Sequence, residues 1–102
     1  MIELLGRWKL VQADPDLGLD PGAVAHFKPD GELVYLVPER DRTVAIRLTY
    51  RVDGAFLVTD QPSSPREERT RFRLDGDILS LTYEGGVARF RRERSESVNR
   101  AS

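Results

Sequence analysis

Residues 43–60 of the chain read TVAIRLTYRVDGAFLVTD. Apolar side chains occupy every second position from Val44 to Val52, with small or polar residues between them. This period of two is typical of a half-buried strand. The strand stops at Asp53-Gly54, a pair that favours the positive φ angles of a tight type I′ turn. The segment therefore predicts a β-hairpin in which residues 55–59 return antiparallel.

The same unit recurs along the chain. Asp-Gly pairs stand at 30–31, 53–54 and 75–76, each between two alternating runs, which indicates a meander of similar hairpins. Longer segments rich in Pro, Gly and polar residues, at 14–22, 38–42 and 61–66, predict loops. The predicted strands cover residues 7–13, 23–28, 32–37, 44–52, 55–59, 67–74, 78–83 and 87–92.

Length and composition limit the class of protein. A chain of 102 residues has room for one domain, which we assign to residues 1–92, followed by a polar tail at 93–102. Hydrophobic residues at 39% and charged residues at 32% are typical of a soluble globular protein. We expect no membrane association, because no apolar run approaches spanning length. The first residues contain no secretory signal pattern, so the expected location is the cytoplasm.

Residue counts also exclude several kinds of site. Without cysteine, and with His26 as the single histidine, neither a thiolate site nor a multi-histidine metal cluster is expected. We expect no metal and no cofactor, with His26 facing outward. The formal net charge of −1 argues against nucleic acid as a partner. Catalysis is not expected either, since a Glu68–Tyr83 pair would lack the nucleophile and oxyanion donors of a hydrolytic site.

Sequential strands without intervening helices can hide their edges by closing on themselves. The predicted fold is therefore all-β: an eight-stranded antiparallel up-and-down β-barrel. Its Asp-Gly turns all fall at one end, which we expect to be closed. The longer loops fall at the other end, which we expect to be the mouth.

Leu5-Gly6-Arg7-Trp8, which opens the first strand, resembles the Gly-x-Trp signature of lipocalins and related calycin-type barrels, and Arg92 resembles their closing arginine. The chain is most similar in layout to the small bacterial lipocalin-like domains. The resemblance implies that Trp8 plugs the closed end and that Arg92 packs across its face, a contact of about 0.5–2 kcal/mol. It also implies a small apolar or amphipathic ligand at the open end.

Alternation predicts which side chains face the barrel interior. At the closed end the inward set is bulky and should fill the space: Trp8, Phe27, Leu33, Tyr50, Val52, Leu57, Phe72, Leu74, Leu79 and Phe90. Toward the mouth the inward set is smaller or more polar, and an eight-stranded barrel can hold one small ligand there. These candidate ligand-binding residues are Gln12, Ala25, Tyr35, Val37, Val44, Thr59, Glu68, Thr70, Tyr83 and Ala88, with Ala23 beside them. A core that simply becomes polar where it meets solvent is the alternative.

Within that set, the predicted type I′ register places Glu68 opposite Tyr83. The Glu68 carboxylate would then accept a hydrogen bond from a ligand hydroxyl or amine, or else reach water at the rim. Both interpretations stay open at this point.

Alternation also places apolar side chains on the outside of the barrel, which suggests a second hypothesis: a solid-core interaction module that acts as a homodimer or with a protein partner. The arginines along the strands also point outward, either covering this apolar surface with their stems or forming a weak anion-binding face. The candidate interface residues are Val34, Leu36, Phe56, Val58 and Ile78, with Val24 beside them.

Overall fold

In this computed structural model the described residues, 4–19, 21–63 and 65–93, form eight strands. Each strand pairs antiparallel with its neighbour in sequence, and the last closes the sheet on the first. The predicted all-β up-and-down barrel is therefore confirmed. The strands are β1 (Gly6–Ala13), β2 (Val24–Phe27), β3 (Glu32–Glu39), β4 (Arg42–Asp53), β5 (Phe56–Asp60), β6 (Glu68–Asp75), β7 (Ile78–Tyr83) and β8 (Gly86–Arg92).

The turn between β4 and β5 differs by one residue from the predicted turn. Asp53 pairs with Phe56, so the two turn residues are Gly54 and Ala55 rather than Asp53 and Gly54. Gly54 has a φ of 61°, whereas no described residue other than glycine has a positive φ. A two-residue turn with positive φ only at its first position is type II′, where glycine is preferred. The predicted type I′ turn was wrong, and the β6–β7 turn repeats the observed arrangement.

The predicted loop at 38–42 is instead the tip of a long hairpin. Glu39 of β3 pairs with Arg42 of β4, which leaves only Arg40 and Asp41 in the turn. Because β2 pairs with β3 only as far as Leu36, the hairpin projects beyond it as a two-stranded ribbon. Pro38 is tolerated there since it lies past the end of β2, on an edge that needs no ladder hydrogen bond.

The 14–22 loop begins with a short 3-10 helix, Pro15–Leu17, that ends at Gly18 with a φ of 64°. Asp14 ties the start of this loop to β8: its backbone N–H donates to the Val87 carbonyl at 3.1 Å, and its Oδ2 accepts from the Val87 N–H at 2.9 Å. A side chain on the neighbouring Gly86 would collide with Asp14 at 2.6 Å. The loop is thereby held against the open end of the barrel.

A β-bulge interrupts β1 near the mouth. Leu10 pairs with Phe90, but the next paired positions are Gln12 with Arg89 and Ala13 with Ala88. A bulge adds one residue to one strand and so reverses the alternation beyond it. Gln12 therefore lies beside the exposed Arg89 and is itself exposed. Its predicted inward position was wrong.

The buried core fills the closed end. Leu4, which precedes β1, is also fully buried, and its carbonyl accepts a 2.9 Å hydrogen bond from the Trp8 indole N–H. Every residue predicted to fill the closed end belongs to this core or packs against it. The backbone hydrogen bonds extend to Glu93, whose N–H donates to the Arg7 carbonyl at 2.8 Å. The rest of the predicted tail, 94–102, lies outside the described residues.

Candidate ligand-binding cavity

Above the core, the barrel encloses a cavity of about 600 Å³ that opens at the mouth. This volume lies within the range of about 300–1,000 Å³ that is typical of small-molecule sites. The floor is apolar and comes from strands on all sides of the barrel. It consists of Leu10, Leu48, Leu57, Leu81 and Phe90.

Polar side chains line the wall above this floor. Thr59 of β5, Thr70 of β6, Tyr35 of β3 and Tyr83 of β7 all border the cavity, as does the apolar Val37. Each is a residue that the sequence predicts to face inward near the mouth. The cavity therefore combines an apolar base with hydroxyl groups partway up, an arrangement suited to an amphipathic molecule.

The two tyrosines extend from strands on opposite sides of the barrel and meet inside it. Burial raises the pKa of the Tyr35 hydroxyl well above its usual value, and the neighbouring Tyr83 hydroxyl and Glu68 carboxylate raise it further. Burial likewise raises the pKa of Tyr83. Tyr35 is only half-buried by surface area because its ring borders the cavity, while its hydroxyl lies deep in the protein. Both hydroxyls are protonated at neutral pH, and they form a hydrogen bond with each other that leaves one O–H group to donate elsewhere.

Glu68 lies at the rim rather than opposite Tyr83. In the observed register Arg71 pairs with Thr82, so the residue beside Tyr83 is Thr70, and Glu68 pairs with Thr59 on the other neighbouring strand. The predicted Glu68–Tyr83 pairing was wrong because it assigned the turn to Asp75 and Gly76, whereas the turn residues are Gly76 and Asp77. Glu68 borders the cavity but is exposed.

A single basic side chain accompanies Glu68 among the described residues that line the cavity. Arg66, from the 61–66 loop, forms an ion pair with Glu68 at 3.7 Å, and both side chains are largely exposed. Such an exposed pair contributes at most about 1 kcal/mol to stability. Because the charges of Arg66 and Glu68 are opposite, the pair adds no net charge to the mouth of the cavity.

Apolar side chains form a lip around the opening. Leu17 and Leu19 come from the 14–22 loop and Ile46 from β4. Leu19 is 41% exposed and Ile46 is 37% exposed, and the other strongly exposed large hydrophobic residue in the described chain is Val11. Sequence reasoning missed these lip residues. The available signal was the pair of leucines, two residues apart, in a loop that is otherwise rich in Asp, Gly and Pro.

Three other candidate ligand-binding residues do not line the cavity. Ala25 and Ala88 face inward as predicted, but both are fully buried in the solid core. Val44 pairs with Val37 near the base of the projecting ribbon and lies outside the lining. Ala23, two residues before Ala25 on the chain, does border the cavity.

The closed end has the contact that the lipocalin resemblance predicts. Trp8 is fully buried, and the Arg92 guanidinium carbon lies 4.2 Å from the centroid of its ring. Arg92 also donates to the Leu5 carbonyl at 3.1 Å and forms an ion pair with Asp77 at 3.5 Å. These contacts link the first and last strands, β1 and β8, at the closed end of the barrel.

The outward apolar residues do not form an exposed patch. Val34 and Val58 are buried, and the other candidate interface residues, Leu36, Phe56 and Ile78, are half-buried. Two arginines cover Phe56: the guanidinium carbons of Arg69 and Arg71 lie 4.9 and 5.3 Å from its ring centroid. At Phe56 the structure therefore agrees with the first of the two interpretations of the strand arginines, in which their stems cover apolar neighbours. The homodimer itself stays a prediction, to be tested by sedimentation at high micromolar concentration.

Some of the outward-facing arginines also form ion pairs with acidic residues. Arg47 contacts Glu32 at 2.9 Å, and Arg69 contacts Asp53 at 3.2 Å. His26 is half-buried on the outer face, beside Arg7 and Val34. Burial lowers its pKa, and the nearby cations Arg7 and Lys28 lower it further. The outer wall is therefore mainly a covered and charge-paired surface.

Comparison with known proteins adds no family to this geometry. No protein-family model matches the chain, and no curated protein matches its sequence. No helix among the described residues is long and apolar enough to cross a membrane. In the same residues, no three acidic or histidine side chains are grouped closely enough to hold a metal ion. The cavity is therefore the feature of the molecule that bears most directly on function.

Proposed function

We propose that the protein binds a small apolar or amphipathic molecule in the cavity at the mouth of its barrel. The observation that carries this proposal is the roughly 600 Å³ cavity, which has an apolar floor, hydroxyl groups on its wall and an open mouth. The exposed side chains of Leu19 and Ile46 at the lip support it. Their exposure is unfavourable in water, and a bound apolar molecule would cover them.

The resemblance to lipocalins supports the same proposal. Gly6, Trp8 and Arg92 occupy the positions of the family's closing motif, and Arg92 lies over Trp8 at the closed end of a barrel. On this basis we propose a lipocalin-like, calycin-type protein with its ligand at the end opposite the tryptophan.

We propose binding rather than catalysis on the chemistry of the lining residues. A general base must be unprotonated near neutral pH, whereas the raised pKa values of Tyr35 and Tyr83 keep both hydroxyls protonated. Glu68 is exposed and paired with Arg66. These groups are suited to hold a ligand through hydrogen bonds.

Uptake of an uncharged fluorescent dye, Nile red, tests the proposal. The parent protein should take up the dye with a rise in emission, and Ala23→Phe should abolish uptake because the larger side chain occupies the cavity. Ala55→Phe is the matched control, since Ala55 is exposed in the turn at the closed end. Absence of uptake by the parent, or unchanged uptake by Ala23→Phe, would refute the proposal.

A further inference from the structure

Thr70 is the buried polar residue of the described core, with 8% of its surface exposed. It borders the cavity, so its hydroxyl can bond to a molecule or to water held there. Buried polar side chains in proteins nearly always have a hydrogen-bond partner. The Thr70 hydroxyl is therefore positioned to contact whatever occupies the cavity.

Two further hydroxyls converge on the same level of the barrel. The register of β6 and β7 places Tyr83 beside Thr70, and Tyr35 reaches the Tyr83 hydroxyl from β3. A protonated tyrosine or threonine hydroxyl can donate one hydrogen bond and can also accept. Together the three groups surround a polar position above the apolar floor of the cavity.

The charges around this position disfavour an anion. Glu68 is close enough to both tyrosines to raise their pKa values, and it pairs with Arg66, the one basic side chain among the described lining residues. Arg66 is largely exposed whereas Thr70 is buried, so no basic side chain among the described lining residues is buried beside this position to pair with a carboxylate. An unpaired buried charge is strongly unfavourable. A neutral oxygen has no such cost.

We propose that the cavity selects uncharged amphipathic molecules whose hydroxyl or carbonyl oxygen lies among Thr70, Tyr83 and Tyr35, in preference to carboxylates of the same length. This inference rests on the proposed ligand-binding function and specifies the chemical class of the ligand. The apolar part of the molecule would lie on Leu57, Leu81 and the rest of the floor.

Displacement of Nile red by decanol and by decanoate, which share one alkyl chain, tests the selectivity. Decanol should bind at least about tenfold more tightly than decanoate at neutral pH, because only the carboxylate is charged. Glu68→Gln should narrow this difference by removing a negative charge that acts on Tyr35 and Tyr83 and would repel decanoate. Equal affinity of the two probes, or tighter binding of decanoate, would overturn the inference.

Thr70→Val tests the hydroxyl without changing the shape of the side chain. It should weaken decanol binding about tenfold through loss of one hydrogen bond, while Nile red binding stays within about twofold. In the protein without probe, the melting temperature of Thr70→Val should stay constant or rise, because on this proposal the hydroxyl bonds to the contents of the cavity and not to the protein. Thr82→Val, on the exposed face of β7, is the matched control and should change neither quantity.

The outcomes separate this inference from the function on which it rests. If the parent protein takes up neither Nile red nor decanol, the proposed function fails. If it takes up Nile red but Thr70→Val leaves decanol affinity unchanged, only the inference fails. A marked loss of thermal stability in Thr70→Val would also overturn the inference, because it would mean that the hydroxyl is bonded within the protein.

Discussion

Ala23 immediately precedes β2 and Ala25 is the second residue of that strand, yet they belong to different halves of the barrel. Ala25 is fully buried in the core, whereas Ala23 borders the open cavity. Ala25 is paired with Trp8 on one side and Tyr35 on the other, so large side chains fill the space that it leaves. A small inward residue therefore indicates a cavity only where its neighbours across the sheet leave the space unfilled.

The loops at the two ends add to this difference. The closed end carries short turns, the Trp8–Arg92 contact, and Tyr50, which donates to the Lys28 carbonyl at 2.8 Å and packs edge-on against Phe27. The mouth carries the longer loops and the exposed lip. We therefore expect the closed end to determine stability and the mouth to determine binding.

The largest expected effect is at the closed end. Trp8→Ala should lower the free energy of unfolding by about 3–5 kcal/mol, the usual cost of removing a buried large aromatic side chain. Chemical denaturation measures it. Val11→Ala on the same strand is the control and should change stability by at most about 0.5 kcal/mol, since Val11 is 48% exposed. A Trp8→Ala protein as stable as the parent would contradict the assignment of the stabilising core to this end.

The next effect contrasts the two alanines directly. Ala25→Phe should cost about 1–3 kcal/mol or more by overpacking the core, whereas Ala23→Phe should have little effect on thermal stability because it fills existing space. Thermal melts of both variants, together with Nile red uptake, test where the filled half of the barrel ends and the cavity begins. Equal destabilisation by the two substitutions would mean that the barrel is solid at both levels.

A smaller effect is expected at Arg92. Arg92→Ala should lower stability by about 1–2 kcal/mol, because the cation–π contact and the packing of the arginine stem across Trp8 are both lost. Arg91→Ala removes the same charge from an exposed neighbour and serves as the control. The denaturation midpoint of Arg92→Ala, and a red shift of the Trp8 emission, are the measurements. Identical midpoints for the two variants would count against this account of how the barrel end closes.

The smallest expected effect concerns the hydroxyl of Tyr35, and it is absent at neutral pH. The pKa of Tyr35 is raised in the folded protein, whereas in the unfolded chain the group ionises near its usual value of 10.0. Above about pH 10 the unfolded chain therefore loses a proton that the folded protein keeps, and stability falls as the pH rises. Tyr35→Phe should flatten this alkaline decline. Melting temperatures measured across that pH range would show it, and a decline as steep as that of the parent would place the titrating group elsewhere.

Much of the fold could be predicted because it depends on local pattern. The period of two indicated strands and faces, and the glycines indicated the turns. The prediction failed at Gln12, where a bulge that leaves no mark in the alternation turns the side chain outward. It failed again at Glu68, where Asp-Gly was interpreted as the turn itself although the glycine occupies its first position.

The lipocalin resemblance implied the contact between Trp8 and Arg92. Local sequence pattern predicted the order of the strands, which end of the barrel is closed, and an interior that becomes more polar toward the mouth. These follow from alternation and turn residues, which act between near neighbours in the chain. Three features could be seen only in the tertiary structure: the level at which the solid core ends, the position of Thr70 beside Tyr83, and the arginines that cover Phe56. Those features depend on register and on side chains from strands far apart in sequence, because filling a lumen or covering a ring requires side chains that only the closed sheet brings together.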